Sequence, residues 1–165
     1  MKLHRMLMLA TAALLCAGLA AAAEKGNPAW EKLKTLAGDW EAETSMGKPQ
    51  ISYKVVSGGS ALMETIREPN GTEMVTVFHP DGDRLLMTHY CSLGNQPRMR
   101  ADGLSDGGKK VAFSYLDASN LSSPEAMHMA RMVVNFGDAD HFTETWTLRD
   151  KGKEQTETFK LTRKK

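Results

Sequence analysis

Residues 61–91, ALMETIREPNGTEMVTVFHPDGDRLLMTHYC, decide the fold. Leu62-Glu64-Ile66, Met74-Thr76-Phe78 and Leu85-Met87-His89-Cys91 each recur at every second position, the period of a strand with one face in a core. Between them stand Pro69-Asn70-Gly71 and Pro80-Asp81-Gly82-Asp83, residue types whose fixed or left-handed backbones close tight turns. Strands joined this closely run antiparallel, because a parallel return needs a crossover of about a dozen residues or more.

The rhythm extends both ways. Upstream, Trp40-Ala42-Thr44 and Ile51-Tyr53-Val55 alternate ahead of Ser57-Gly58-Gly59-Ser60. Downstream, strands are predicted over 98–101, 111–115, 127–135, 141–148 and 154–162, punctuated by Asp106-Gly107-Gly108, Gly137-Asp138 and Asp150-Lys151-Gly152. The longest irregular stretch, 116–125, is suited to capping an open end. About ten strands with no helix between them make an antiparallel meander, and a sheet that long closes to remove its edges. The expected fold is therefore all-β, an antiparallel up-and-down β-barrel whose interior can hold one small ligand, with a two-sheet sandwich as the alternative. One short helix precedes it: Asn27 is a cap, Pro28 suits the first turn, and Trp30, Leu33 and Leu36 fall at helical spacing over 28–36, before Gly38 ends it.

The first 23 residues stand apart. Lys2, His4 and Arg5 begin a basic segment, residues 6–20 are apolar, and Ala21-Ala22-Ala23 is the small-residue pattern a signal peptidase reads, which predicts cleavage before Glu24 and a single exported domain over 24–165, periplasmic or secreted. The apolar run is too short for the roughly 20 residues that span a bilayer, so no membrane span is expected. Cys16 follows Ala13-Leu14-Leu15 and lacks the small residue directly before it that lipid attachment wants. The whole chain carries 21 basic and 20 acidic residues; without Lys2 and Arg5 the balance is 19 against 20, and no basic run is interleaved with aromatics, which argues against nucleic-acid binding. Cys91 becomes the single cysteine of the exported domain, so the core must hold without an internal disulfide.

Leu36-Ala37-Gly38-Asp39-Trp40 resembles the start of calycin-type barrels, the group of lipocalins, fatty-acid-binding proteins and nitrobindins, in which Gly-x-Trp opens the first strand. The resemblance implies that Trp40 closes one barrel end with a late arginine packed over it, Arg163 or, failing that, Arg149. A longer likeness, in Ser57-Gly58-Gly59-Ser60-Ala61-Leu62, Thr88-His89-Tyr90-Cys91, Gly94-Asn95-Gln96-Pro97-Arg98-Met99 and Asp140-His141-Phe142 with Trp146, is to a group of exported bacterial proteins without an assigned activity. The chain has no histidine after His141, so the haem ligation of nitrobindin-like proteins is not implied, and no cofactor is specified.

Several residues are candidates for chemistry. Glu64 alternates with Leu62 and Ile66, Glu144 lies between Phe142 and Trp146, and Arg131 shares a face with Met129 and Val133, so that all three point inward if those faces line the interior. A buried charge needs a partner, and the alternatives are a polar ligand floor, an internal ion pair, or outward-facing strands. Tyr53 and Tyr115 can add hydroxyls, His89 and His128 imidazoles, and Arg98 a guanidinium at the barrel mouth beside Asn95 and Gln96, although that segment also reads as a self-satisfying turn. The expected ligand-binding set for a non-catalytic barrel with a small-molecule partner is thus Tyr53, Glu64, His89, Arg98, Tyr115, His128, Arg131 and Glu144. A second reading is a metal-binding protein using His89, Cys91, His128 and nearby methionines. A third is a small enzyme with Glu64 or Glu144 as general base. Phosphate loops, nucleophile elbows and Cys-x-x-Cys pairs are absent from the sequence.

Overall fold

The structure is a computed structural model that describes residues 26–165; the expected export signal over 1–23, with Cys16, lies outside the described residues. The chain forms α1 (Pro28–Lys34) and then β1 (Gly38–Glu43), β2 (Gln50–Val56), β3 (Ala61–Arg67), β4 (Glu73–Asp81), β5 (Arg84–Tyr90), β6 (Gln96–Ala101), β7 (Leu104–Ser105), β8 (Lys110–Ser119), β9 (His128–Phe136), β10 (His141–Asp150) and β11 (Lys153–Arg163). Each strand pairs antiparallel with its sequence neighbour except where β6 and β7 both pair with β8. The two-residue β7 continues the line of β6 beyond a break at Asp102 and Gly103, so the two fill one position in the wall. Pairing of β1 with β11, Trp40 opposite Arg163, closes a barrel of ten wall positions. This is the expected all-β barrel, and it is consistent with a calycin-like fold.

The alternation of the sequence becomes the two faces of the wall. Trp40, Leu62, Phe78, Phe113, Met87, Met99, Met132 and Leu161 point inward and are fully buried, so the interior is filled by the chain's own side chains. On β9 the inward row is Met132, Val134 and Phe136, which corrects the expectation for Arg131: it points out to solvent. The reason is energetic, since Met132, Val134 and Phe136 make the more apolar stripe and a buried guanidinium would need a partner.

The two ends of the barrel differ. Helix α1 covers the end where β1 starts. Asn27 Oδ1 accepts from the amides of Ala29 and Trp30 at 3.0 and 3.1 Å, while its Nδ2 donates to the carbonyls of Gly82 and Arg84, tying the helix to the β4–β5 turn. Trp30, Leu33 and Leu36 plug the opening, and the Trp40 indole donates to Leu36 O at 2.8 Å. The Arg163 guanidinium lies 4.0 Å over the Trp40 ring and donates to the carbonyls of Ala37, Thr35 and Ala139. This is the arginine the resemblance points to; Arg149 instead pairs with Glu154. The opposite end carries the loops 44–49, 68–72, 91–95, 120–127 and 151–152, and no helix among the described residues covers it.

Candidate functional site

Four inward residues from adjacent strands fall in one line of the register: Tyr53 opposite Glu64, Glu64 opposite Thr76, and Thr76 opposite His89. Across the barrel, Glu144 and Trp146 complete a polar ring. The Tyr53 hydroxyl contacts Glu64 Oε1 at 3.0 Å and makes a short hydrogen bond with Glu144 Oε1. Trp146 Nε1 donates to Glu144 Oε2 at 3.3 Å and the indole packs on His89, with ring centroids 4.8 Å apart. Thr76 Oγ1 and His89 Nδ1 are 2.9 Å apart.

Tyrosine has one hydroxyl proton. To bond two carboxyl groups it donates to one and accepts from the other, so one carboxyl of the pair is protonated. Burial raises the pKa of both, and Glu144 is pushed well above the carboxylate range, first by burial and then by the charge of Glu64, so the pair shares a proton with Tyr53 bridging it. Tyr53 is itself pushed well above its ordinary value by burial and by Glu144. Burial pushes His89 down to about 4, so the ring is a neutral imidazole at neutral pH. Glu64 and Glu144 are both 0 % exposed and His89 1 %, and Glu64 Oε2 and His89 Nε2 have no hydrogen-bond partner among the described residues. Sealed in this way, the carboxyl pair has the shifted acidity that a general base requires but no path for a substrate to reach it.

The uncovered end holds a cleft of about 440 Å3 lined chiefly by Met46, Met74, Met127, Met129, Leu93 and Leu148, with Cys91 among them. Met74, Cys91 and Leu148 stand two positions from Thr76, His89 and Trp146 on the same strands. Two positions advance a strand about 7 Å on one face, so the polar ring forms the layer directly beneath this mouth. Met46, Leu93 and Met127 are exposed at its rim, Met46 to 70 %. Burial raises the Cys91 thiol, which leaves it protonated and a weak nucleophile at neutral pH.

A second cleft, of about 350 Å3, opens beside the first. Pairing between β8 and β9 stops at Ser114 opposite Arg131, while β8 continues along β6 as far as Ser119. Tyr115 and His128 pack against each other in this splayed seam, ring centroids 4.7 Å apart and planes tilted by 40°, and Glu125, Arg149 and Glu154 also line it.

The eight expected site residues therefore divide. Tyr53, Glu64, His89 and Glu144 meet in the core; Tyr115 and His128 meet in the seam. Arg98 and Arg131 face outward, Arg98 pairing with Asp117 through both Nε and Nη2. The Asn95-Gln96 segment behaves as a tie: Asn95 Nδ2 donates to Met127 O at 2.9 Å, and Gln96 Oε1 accepts from Ser119 and Asn120. Cys91, His89 and His128 fall in three different surroundings, and among the described residues no group of three or more His, Cys, Asp or Glu side chains is placed to hold a metal ion. The sequence reading missed Thr76 and Trp146, although Thr76 announces itself as a lone polar residue between Met74 and Phe78 on an apolar face. No protein-family model matches the chain, and no curated protein matches it.

Proposed function

We propose that this protein is an exported, non-catalytic binding barrel that takes a small, largely apolar molecule at its uncovered end. The observation that carries the reading is the methionine-rich mouth, a concave apolar surface with exposed Met46, Leu93 and Met127 on its rim. Exposed apolar surface gathered in one concavity marks a binding site, and thioether side chains adapt to ligands of varied shape. Tyr53, Glu64, His89 and Glu144, sealed in the layer beneath, support the mouth without touching the ligand, and Arg98 and Arg131, on the outer wall, take no part. The basic, apolar and small-residue succession of residues 1–23 supports export.

The test is a fluorescence titration of the purified protein with N-phenyl-1-naphthylamine. A saturable, blue-shifted rise is expected, and Met46→Lys with Met127→Lys weakens it at least about tenfold while the thermal unfolding curve is unchanged, since both side chains are exposed and losing apolar contact from two of them costs more than about 1.4 kcal/mol. Absence of saturation, or indifference to the two lysines, overturns the reading. Five sulfur atoms around one cleft favour a second reading, capture of a soft monovalent cation. Replacing Met46, Met74, Met127 and Met129 together by leucine separates the two, because leucine keeps the apolar dye site and removes all four thioethers that silver ion would need.

A further inference from the structure

The seam cleft carries its own chemistry, separate from the mouth. Both register shifts flanking it belong to the strands that build it: β6 and β8 slip between Arg98 and Met99, and β9 and β10 slip between Thr147 and Leu148. Bulges of this kind re-aim side chains and open a wall, and they gather at barrel rims beside functional sites. Here they leave Tyr115 paired opposite Met99 and His128 opposite Arg149, on either side of the gap where β8 and β9 no longer pair.

His128 is 4 % exposed, and its Nδ1 lies 2.6 Å from Ala126 O. A carbonyl oxygen only accepts, so Nδ1 carries the proton and, in the neutral ring, Nε2 presents a bare lone pair. That Nε2 has no partner among the described residues although it is buried at a cleft wall. The Tyr115 ring packs against the imidazole and holds it in place. The cleft's one guanidinium is engaged, Arg149 Nε and Nη2 both donating to Glu154 Oε1 at 3.1 and 2.5 Å. What the cleft offers a guest is therefore an imidazole acceptor, the carboxylate of Glu125, the carboxylate of Glu154 with one oxygen already held by Arg149, and the face of an aromatic ring.

We propose that this seam binds an organic ammonium group. One N–H of the guest donates to His128 Nε2, its positive charge faces Glu125 and Glu154, and its carbon stem lies against Tyr115. An anion would meet two carboxylates and a lone pair. The donor set lacks the convergence a metal ion needs, as no group of three or more such ligands is assembled among the described residues.

The experiment titrates the protein, labelled with 15N at histidine, with n-butylammonium chloride, n-butyltrimethylammonium chloride and sodium butyrate, following the His128 ring nitrogens by NMR. The expected result is a saturable displacement of the Nε2 signal by n-butylammonium alone, with Nδ1 remaining the protonated nitrogen. His128→Phe, which keeps the ring contact and deletes the acceptor, lowers the affinity about tenfold or more, the loss of one charge-assisted hydrogen bond; binding to this variant is read by calorimetry. Glu125→Gln, a change at an exposed loop residue, lowers it as well and gives a decisive result even where the histidine variant fails to fold. An equal response to butyrate or to the trimethylated amine, no response to any of the three, or unchanged affinity in the variants overturns the proposal.

Discussion

Acid acts on this barrel through His89, and the size of the effect follows from its burial. The imidazole lies within the wall against Trp146 and Thr76, and desolvation holds its pKa at about 4 against an ordinary 6.5. Between those two values the unfolded chain binds a proton that the folded chain refuses. The stability at stake is thus fully present above pH 6.5 and is lost as pH falls toward 4. The gap between 6.5 and about 4, at about 1.4 kcal/mol per pH unit, amounts to about 3 kcal/mol at pH 4. That is a large share of the roughly 5–15 kcal/mol that holds a domain folded. Glu64 and Glu144 work the other way, because their raised pKa values let the folded state keep protons that the unfolded state has released. A comparison that cancels them is needed, and His89→Asn supplies it. Asparagine can still bond Thr76 and does not titrate, so any cavity it leaves costs the same at every pH. Urea unfolding of both proteins, followed by tryptophan fluorescence at pH 7, 6, 5 and 4, measures the difference. The advantage of wild type over the variant is expected to shrink by about 3 kcal/mol between pH 7 and pH 4. A gap that stays constant within about 0.5 kcal/mol, or one that widens, refutes the buried neutral imidazole and with it the sealed polar ring.

Two further outcomes follow from the same geometry. Glu144→Gln replaces one carboxyl of the pair that shares a proton by an amide that does not titrate and can still bond Tyr53. Since the stability from a raised carboxyl is present below its ordinary value and lost as pH rises through the folded one, the variant is expected to gain on wild type between pH 5 and pH 9, measured by urea unfolding at each pH; an unchanging difference counts against a shared proton. At the closed end, Gly38→Ala places a Cβ 2.6 Å from Arg163 Nη1 at a φ of +135°, so a loss of about 1–3 kcal/mol is expected in thermal unfolding; an unaffected midpoint would show that Arg163 yields freely.

Why the wall was legible in the sequence and the site only partly so comes down to which signals are local. Leu62-Glu64-Ile66 and Met74-Thr76-Phe78 state their inward faces by period alone, and the Pro, Asn, Asp and Gly turns between them fix antiparallel pairing, so the barrel and its closure follow. Glu64, Glu144, Tyr53 and His89 were legible as inward for the same reason. Their meeting was not, because Glu144 reaches Tyr53 across the interior, and a cross-barrel contact depends on tilt and stagger that no single strand records. Arg131 misled because β9 carries apolar residues at both odd and even positions, Met129 and Val133 against Met132 and Val134, so period alone does not choose a face. The seam was invisible for a different reason: Tyr115 and His128 come together only because two strands each slip by a residue, and a slip leaves no periodic trace in the sequence.

The polar ring also explains how a barrel filled largely with interchangeable apolar side chains holds one register. An apolar core tolerates many packings, but Tyr53, Glu64, Thr76 and His89 sit opposite one another on four successive strands. A slip of one residue would turn each to solvent and bury its neighbour; a slip of two would keep them inside but part Tyr53 from Glu64 and Thr76 from His89. The first takes the apolar rows out of the core, and the second leaves a desolvated carboxyl or imidazole without its hydrogen bond, where removing one partner of a buried polar pair costs more than the pair contributes. The ring thus sets register midway between two ends with different duties. One end is fastened by α1, Trp40 and Arg163. The other is released from that duty, which is why the bulges, the exposed methionines and both clefts are found together at it.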